Sequence, residues 1–148
     1  MTDSPMGNRL LQDAVEQLSS LPGIGKKSAL RFALYLLKQP MENVERFGNS
    51  IISLRREIKY CSECNMISES DKCPICADAR RDRRTVCVVE SLRDVLSIEA
   101  TGEYRGVYHV LGGVISPMDG VGPADLPIDQ LCRRVQDNHI EEVILALS

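Results

Sequence analysis

The sequence predicts an α+β chain built in three successive parts. A helical region comes first, because apolar residues recur there at steps of three and four. Four cysteines in two C-x-x-C pairs follow and indicate a small knuckle that closes around one point. The remainder alternates short β-branched runs with helical patterns, which is typical of a parallel sheet. We therefore assign residues 1–59 to the helical region, 60–79 to the cysteine knuckle and 80–148 to an α/β domain.

Composition limits the classes of protein to which the chain can belong. The 148 residues are 43% hydrophobic and 26% charged, which is ordinary for a globular protein, and the 4% aromatic content predicts an aliphatic core. The net charge of −3 excludes a uniformly basic surface but allows a local basic patch. No apolar run reaches the roughly 20 residues of a membrane helix. No secretory signal is visible at Met1, so we expect a reducing cytoplasm.

Periodic apolar positions predict three helices in the first part. The predicted helices cover Arg9–Ser19, Lys26–Leu37 and residues 42–59. Pro22, Gly23 and Gly25 separate the first two, because proline cannot continue a helix and glycine permits backbone conformations closed to other residues.

The segment from Leu21 to Gly25, with sequence LPGIG, is typical of a helix-hairpin-helix turn. Its tight bend would expose the N–H groups that begin the second helix, and these donors suit a phosphate oxygen. The predicted DNA-binding residues are Gly23, Gly25, Lys26, Lys27 and Arg31. None of them reads base edges, so binding would be independent of sequence and weakened by salt. The alternative is a plain turn between helices with a solvated basic face. Separately, an exposed Ile24 would let the same turn serve as a self-association surface.

The two cysteine pairs predict a structural zinc ion. Each C-x-x-C turn directs two thiolates to one spot, and four sulfurs at about 2.3 Å close a tetrahedral Zn²⁺ shell with no open position for catalytic water. The predicted ligands are Cys61, Cys64, Cys73 and Cys76. Two disulfides or a redox motif are the alternative. Cys87 and Cys132 lie in apolar patterns, and we expect both to be buried.

Alternating strand and helix patterns predict a parallel sheet in the last part. Each predicted strand is a short apolar run, as expected for strands buried on both faces. The predicted strands cover residues 85–90, 107–111 and 142–147. The predicted helices cover residues 91–100, with Leu96 turned inward, and residues 128–138. Residues 78–84 are expected to form a charged connector, and residues 112–127 a long loop.

Glu90 ends the first predicted strand, and Asp94 follows one helical turn later. An acid at this position resembles the Toprim arrangement, in which several carboxylates hold Mg²⁺ for phosphoryl transfer. The chain ends before a second set of acids, so we predict no catalytic residue. Glu90 is interpreted as a helix cap or a partner-binding charge. The alternative hypothesis is a Mg-dependent, nuclease-like phosphoryl-transfer enzyme that uses Glu90.

A second basic run follows the cysteines. It consists of Arg80, Arg81, Arg83 and Arg84. Asp78 and Asp82 are interleaved with these arginines, so a solvated connector with local ion pairs and a second DNA contact are both open interpretations.

Several runs together resemble the RecR family of bacterial recombination mediators. These runs are residues 21–28 (LPGIGKKS), the four cysteines, residues 84–90 (RTVCVVE), residues 102–111 (GEYRGVYHVL) and residues 116–123 (SPMDGVGP). The resemblance covers nearly the whole chain. It implies a helix-hairpin-helix region, a structural four-cysteine zinc finger and a non-catalytic Toprim module.

The resemblance also implies partners. Members of the family form dimers and ring-like tetramers around single- or double-stranded DNA, and they act with RecO and RecF to help load RecA on single-stranded DNA during repair. By position, Lys27 and Arg31 match basic residues that face DNA, whereas Glu90 and Asp94 match acids that would contact RecO. A bacterial, nucleoid-associated location is implied as well.

Family members continue past the last predicted strand with the rest of the Toprim fold and a tail. We therefore expect a truncated form with an incomplete Toprim domain, and a dimer through the helical region rather than a tetramer. The leading hypothesis is a DNA-binding clamp and adaptor without catalytic activity. A zinc-stapled module that contacts only protein is a further alternative.

Overall fold

The computed structural model of the chain describes residues 7–148. The helices are α1 Arg9–Ser19, α2 Lys26–Leu37, α3 Met41–Glu57, α4 Pro74–Ala77, α5 Leu92–Glu99 and α6 Ile128–Asp137. The strands are β1 Lys59–Tyr60, β2 Ile67–Ser68, β3 Asp82–Val89, β4 Gly106–Val110 and β5 Glu142–Ala146. Within the described residues, no helix combines the length and apolarity that a membrane crossing requires.

The chain divides into two compact units, with the boundary between Arg55 and Arg56. The three predicted domain ranges, 1–59, 60–79 and 80–148, stay predictions, and the first six residues of the helical range lie outside the described part of the chain. We call residues 7–55 the helical unit and residues 56–148 the sheet unit.

The helical unit is built on the packing of α1 against α2. Both helices have the predicted bounds. Val15 of α1 and Ala29 and Ala33 of α2 form a small buried core, and Ile24 of the intervening turn packs against it. The expected exposure of Ile24 is therefore wrong, because this side chain closes the end of the α1–α2 core.

Helix α3 ends at Glu57, two residues earlier than predicted, because Lys59 pairs with Ser68 in an antiparallel ladder. The predicted apolar stripe is present, but no residue of α3 is buried. Phe47, Ile51 and Leu54 are 49%, 53% and 60% exposed. The helical unit thus leaves a row of large apolar side chains open to solvent.

The sheet unit contains a three-stranded parallel sheet with strand order β4-β3-β5, which confirms the predicted parallel sheet. Successive side chains of β3 point to opposite faces. Cys87 and Val89 pack with Val95 of α5 and the cysteine cluster on one face. Val86 and Val88 pack near α6 on the other face. The central strand is therefore buried on both sides, as its composition predicted.

Two segments of the sheet differ from the prediction. Residues 82–84 were predicted to belong to the charged connector, but strand β3 already begins at Asp82. The Asp82 N–H donates to the Arg105 carbonyl at 2.8 Å. Strand β5 was expected to be buried, but Val143 and Ile144 are each 39% exposed. Among residues 7–148 this strand pairs only with β3, and its apolar composition does not specify what would cover its side chains.

Two side chains predicted to face the core are exposed. Leu96 is 59% exposed because α5 turns Leu92 and Val95 inward instead. Cys132 is exposed because the inward stripe of α6 contains Leu131 and the buried Arg134, which leaves Cys132 on the outer side. Cys87, by contrast, is buried as predicted.

Candidate metal centre and nucleic-acid interface

The four predicted zinc ligands converge on one point. Their Sγ atoms all lie within 4.8 Å of one another, and none of the four residues is more than 1% exposed. A tetrahedral shell with bonds of about 2.3 Å places its sulfurs about 3.8 Å apart. The Cys64 and Cys73 Sγ atoms are 3.6 Å apart, too far for a disulfide. The size and chemistry of this sulfur set therefore fit one zinc ion.

Short backbone turns hold the sulfurs in place. The Met66 N–H donates to Cys64 Sγ and the Cys76 N–H to Cys73 Sγ, each at 3.4 Å. Asn65 adopts the left-handed conformation, with φ of 67°, which Asn tolerates better than most residues and which reverses the chain after Cys64. These N–H donors favour the charged form of the sulfurs, as a thiolate metal site requires.

The close approach of the cysteine thiols shifts their pKa values in opposite directions. The hydrogen bond between Cys64 and Cys73 lowers the pKa of Cys73 and raises the pKa of Cys64. Hydrogen bonds to Cys64 and Cys73, with burial, raise the pKa of Cys76 as well. Several thiolates therefore share this space only when a cation balances their charge, which is what a bound divalent ion supplies.

The predicted DNA-binding residues lie around the turn between α1 and α2. Gly23 has φ of +81°, so this position needs glycine, whereas Gly25 has an ordinary φ of −85°. Gly25 is the N-cap of α2 and has no side chain to satisfy the first N–H groups of that helix. A Cβ at Gly25 would meet nothing within 4 Å. The first backbone N–H groups of α2 therefore have no side-chain cap and are open to a ligand.

The basic residues of this turn carry unbalanced charge. Lys26, Lys27 and Arg31 are exposed, and among the ion pairs of residues 7–148 none involves them. The Arg31 guanidinium lies 5.4 Å from the ring centroid of Phe32. Positive charge and helix N–H groups therefore occupy the same end of α2, a combination that favours an anion.

Glu90 and Asp94 lie together at the carboxyl end of β3 but have different surroundings. Asp94 Oδ2 accepts from the Ser91 N–H at 3.1 Å, so Asp94, and not Glu90, caps α5. Glu90 Oε1 accepts from the Ser148 N–H at 2.5 Å, and the Ser148 hydroxyl donates to the same oxygen at 2.6 Å. These bonds lower the pKa of Glu90. Glu90 also lines a cavity of 630 Å³ with Tyr60 and Leu111.

The second basic run is largely ion-paired. Arg80 Nε lies 3.1 Å from Asp78, and Arg84 Nε lies 3.4 Å from Asp82. Arg81 is half-buried and pairs with Glu99, so it is not part of a solvated connector. Glu99 in turn accepts from the Tyr108 hydroxyl at 2.6 Å. The predicted local ion pairs are therefore present, and Arg81 ties the start of β3 to α5.

Comparison with known proteins assigns every part of this architecture. Residues 11–54 match the model of the RecR helix-hairpin-helix, residues 58–78 match that of the RecR zinc finger domain with four cysteines, and residues 84–148 match that of the Toprim domain. Recombination protein RecR of Porphyromonas gingivalis is 60% identical over 141 residues, which cover 95% of this chain and 68% of that protein. Recombination protein RecR of Bacteroides thetaiotaomicron is 61% identical over 139 residues, which cover 94% of this chain and 68% of that protein. The chain belongs to the RecR family.

Membership of the RecR family confirms the identity of the metal. The zinc-finger match spans all four cysteines, and within the described residues these are the only group of three or more metal-ligating side chains close enough to share an ion. The cofactor is therefore one structural zinc ion in a closed shell of four cysteines. The assignment of individual residues to DNA or to partners stays a prediction.

The RecR finger contacts α6 through residues that the sequence motifs do not include. Gln130 Nε2 donates to the Ser62 carbonyl at 2.9 Å, and Asn65 Nδ2 donates to Gln130 Oε1 at 2.9 Å. Arg134 Nη1 donates to the Glu63 carbonyl at 3.4 Å. Gln130 and Arg134 are four residues apart and share one helix face, which is the only signal that the sequence offers. We call this set the finger–helix contact.

The finger is also joined to the sheet itself. The Val110 N–H, at the end of β4, donates to the Cys64 carbonyl at 2.8 Å. Met66 and the cysteines belong to the same buried cluster as Val89 and Val95. Within the sheet unit, the zinc site is therefore part of the core rather than an appended loop.

Proposed function

We propose that this chain is a non-catalytic, DNA-binding recombination mediator that acts in DNA repair as a clamp and adaptor. Its helical unit grips the phosphate backbone, and the carboxyl edge of its sheet contacts RecO, in a system with RecF that helps load RecA on single-stranded DNA. The proposal rests on the exposed basic start of α2 within a RecR helix-hairpin-helix match, and on the relatives named recombination proteins. Such a protein works in the bacterial cytoplasm, near the nucleoid.

The chemistry of the turn supports sequence-independent binding. Backbone N–H groups and the ammonium of Lys27 recognise phosphate oxygens, which every nucleotide carries. Each neutralised phosphate releases a counterion, so affinity falls as salt rises, with a slope of about −0.9 per contact on duplex DNA and about −0.7 on single strands. The same groups accept either form of DNA.

The decisive experiment reverses the charge of the turn. Lys27→Glu/Arg31→Glu should abolish most DNA binding and flatten its salt dependence, measured by fluorescence anisotropy with single- and double-stranded oligonucleotides over a salt series. The matched control, Lys38→Glu/Arg46→Glu, makes the same charge change at exposed positions of the helical unit away from the turn. Equal losses in both variants would mean that only net charge matters, and the turn would not be the DNA site.

Glu90 is the side chain that we propose for partner contact. It borders the 630 Å³ cavity between the finger and the sheet edge, whereas the carboxylate of Asp94 is engaged in capping α5. Asp94 would then act by holding the helix that follows Glu90. Glu90→Gln should weaken binding of purified RecO and leave DNA binding intact. Loss of magnesium-dependent strand cleavage in this variant would instead identify the alternative, an enzyme.

A dimer through the helical unit completes the proposal. Residues of α1, α2 and the start of α3 line an apolar cavity of 530 Å³, with Leu10, Leu37 and Met41 at its wall. A second copy of the chain offers the same apolar side chains, so a self-complementary contact would bury both sets. A purified protein that stays monomeric across micromolar concentrations in sedimentation equilibrium would contradict this part.

A further inference from the structure

Arg134 of α6 is a buried cation that lacks a carboxylate partner. The residue is 7% exposed, and among the ion pairs of residues 7–148 none involves it. Taking a guanidinium out of water is costly unless an anion and hydrogen bonds compensate, so buried charges in proteins are normally paired. The environment of Arg134 is therefore electrostatically incomplete.

The hydrogen bonds of Arg134 are confined to one of its three nitrogens. Nη1 donates to the Tyr108 carbonyl at 2.5 Å and to the Glu63 carbonyl at 3.4 Å, and it lies 3.2 Å from His109 Nδ1. Nε is buried and has no partner within the described residues. Neutral acceptors thus position the guanidinium without neutralising it.

Arg134 also lines a small cavity. Its volume is 230 Å³, and its lining residues are Glu63, Arg83, Val107, Arg134, Asn138 and Ile140. Arg83 brings a second guanidinium, whose one hydrogen bond within residues 7–148 is a long one of 3.4 Å to the Asp78 carbonyl. Asn138 adds an amide that can donate to an oxygen. The volume is below the about 300–1,000 Å³ of pockets for drug-sized ligands, so a small anion suits it better.

The one acid at this cavity has its own partner. The Glu63 carboxylate lies 3.0 Å from Lys72 Nζ, so its charge is balanced by another residue of the finger. Two arginines and one internally balanced acid leave the cavity with an excess of positive charge. This excess lies within the sheet unit and involves none of the residues of the DNA-binding turn.

We infer that this cavity is an oxyanion site, in which Arg134, Arg83 and Asn138 bind a phosphate group. Arg134 supplies the buried charge, and Arg83 closes the site from the exposed side. The ligand is either free inorganic phosphate or one phosphate of a DNA strand, because both present the same tetrahedral oxyanion. The inference is independent of the proposed function, since a free ion is sufficient to occupy the site.

The test measures phosphate binding at constant ionic strength, with chloride as the replacement anion. Titration calorimetry and thermal unfolding with inorganic phosphate should show saturable binding by the wild type. Arg83→Gln should bind phosphate about tenfold more weakly, since it loses a charge-assisted hydrogen bond. Arg93→Gln, the same change at an exposed position of α5, should bind as the wild type does. This control removes the general stabilisation that phosphate gives to any protein.

Two further variants keep the result decisive. Arg134→Gln removes the buried charge, with Arg133→Gln, an exposed neighbour on α6, as its control. Because Arg134→Gln can also weaken folding, Glu63→Gln provides a second measure: it should tighten phosphate binding by removing a like charge. If Glu63 were instead the missing counterion of Arg134, Glu63→Gln would destabilise the protein and the wild type would bind no phosphate, which would overturn the inference.

The source of the phosphate is decided by a competition. If a short single-stranded oligothymidylate displaces inorganic phosphate, and Arg83→Gln weakens its binding, the site takes a DNA phosphate. If the oligonucleotide leaves phosphate binding unchanged, the site takes the free ion. Both results support an oxyanion site. An absence of saturable phosphate binding, or equal binding by wild type and Arg83→Gln, refutes it, whatever happens at the DNA-binding turn.

Discussion

The two units of the chain differ in what covers their apolar side chains. In the sheet unit every residue of β4 is buried, and the sheet, α5 and the cysteines share one core. In the helical unit, residues 7–55, only Val15, Ala29 and Ala33 are buried. Leu10 and Met41 there are 83% and 66% exposed. The sheet unit therefore buries much more of its apolar surface than the helical unit does.

The metal explains part of this difference. Small domains bury too little apolar area to fold firmly, and a structural zinc is one of the standard compensations. Among residues 7–148, only the sheet unit has the ligands for such an ion, and the finger is joined to its sheet through the Val110–Cys64 hydrogen bond. For the helical unit, association with a second copy would serve the same purpose. The following predictions test this contrast.

Zinc removal should produce the largest effect, and it should be confined to the sheet unit. Structural zinc contributes about 10–16 kcal/mol in isolated finger peptides, so a chelator or Cys73→Ser/Cys76→Ser should unfold the finger. The amide of Val110 should then exchange rapidly in hydrogen-exchange measurements, while the amide of Ala29, bonded to the Gly25 carbonyl, keeps its protection.

Cys132→Ser is the matched control for this experiment, because Cys132 is an exposed cysteine outside the metal set. It should retain one zinc per chain by elemental analysis. A protein that loses its zinc and still protects Val110 would break the comparison, because the finger would then fold without its ion.

Truncation of apolar side chains should have the next largest effect, and it should affect the stability of the two units differently. Val86→Ala opens a cavity at a position with 0% exposure and should lower the free energy of unfolding by about 2 kcal/mol. Ile51→Ala on α3, where the side chain is 53% exposed, should change monomer stability little. It should instead weaken the proposed dimer, about tenfold if Ile51 is a central contact.

Urea unfolding at several protein concentrations distinguishes these two effects. The loss in Val86→Ala should be independent of concentration, whereas the loss in Ile51→Ala should vary with it, because association stabilises by mass action. If both variants lost the same free energy at every concentration, α3 would be covered within its own chain.

The finger–helix contact should have a smaller effect than the core. Gln130→Ala leaves the Ser62 carbonyl and the Asn65 amide without their partners, at a cost of about 1–3 kcal/mol. Because Ser62 and Asn65 are the chain neighbours of the ligands Cys61 and Cys64, loss of this contact should let zinc transfer faster to a competing chelator. Gln136→Ala, an exposed glutamine of the same helix, should leave the transfer rate unchanged. If zinc transferred at the same rate from Gln130→Ala and Gln136→Ala, the finger–helix contact would not contribute to holding the metal.

Local patterns were sufficient to predict the longer helices and the parallel strands of both units, but not the short β1, β2 and α4. The bounds of α1 and α2 follow from apolar spacing and the Pro22–Gly25 turn, and the zinc set follows from the two C-x-x-C pairs. The parallel sheet follows from the alternation of strand and helix patterns. In each case, residues near in sequence determine the structure.

Burial could not be predicted where it depends on distant residues. The apolar runs of α3 and β5 indicate a face that packs, but not what covers it, and both remain exposed. Cys132 is predicted to be buried because it lies in an apolar pattern, but its side chain is exposed. In α6 the buried position belongs to Arg134, which is held by carbonyls of β4 and the finger. No local pattern contains these partners, so the oxyanion cavity also escaped prediction.

The smallest expected effect concerns pH and His109 of β4. This residue is fully buried; Nε2–H donates to the Pro127 carbonyl at 2.9 Å, and Nδ1 accepts from Arg134 at 3.2 Å. Burial, reinforced by the charge of Arg134, lowers the pKa of His109 in the folded chain. The unfolded chain therefore binds this proton more readily, and the stability that His109 contributes is present above about pH 6.5 and is lost as the pH falls. In zinc-saturated protein, stability should fall between about pH 7 and 5 by no more than about 1.4 kcal/mol per pH unit from this group.

His109→Asn should make stability less dependent on pH over that range, in urea titrations at each pH. The control is His139→Asn, since His139 is the other histidine of the chain, is exposed and has a left-handed backbone that Asn tolerates. It should keep the wild-type dependence. Because His109 lies in the sheet unit, the change should appear in the exchange of β4 amides and not in those of α1 and α2. If His109→Asn kept the pH dependence of the wild type, the loss of stability at acid pH would come from the zinc thiolates. The imidazole of His109 would then make no measurable contribution to that loss.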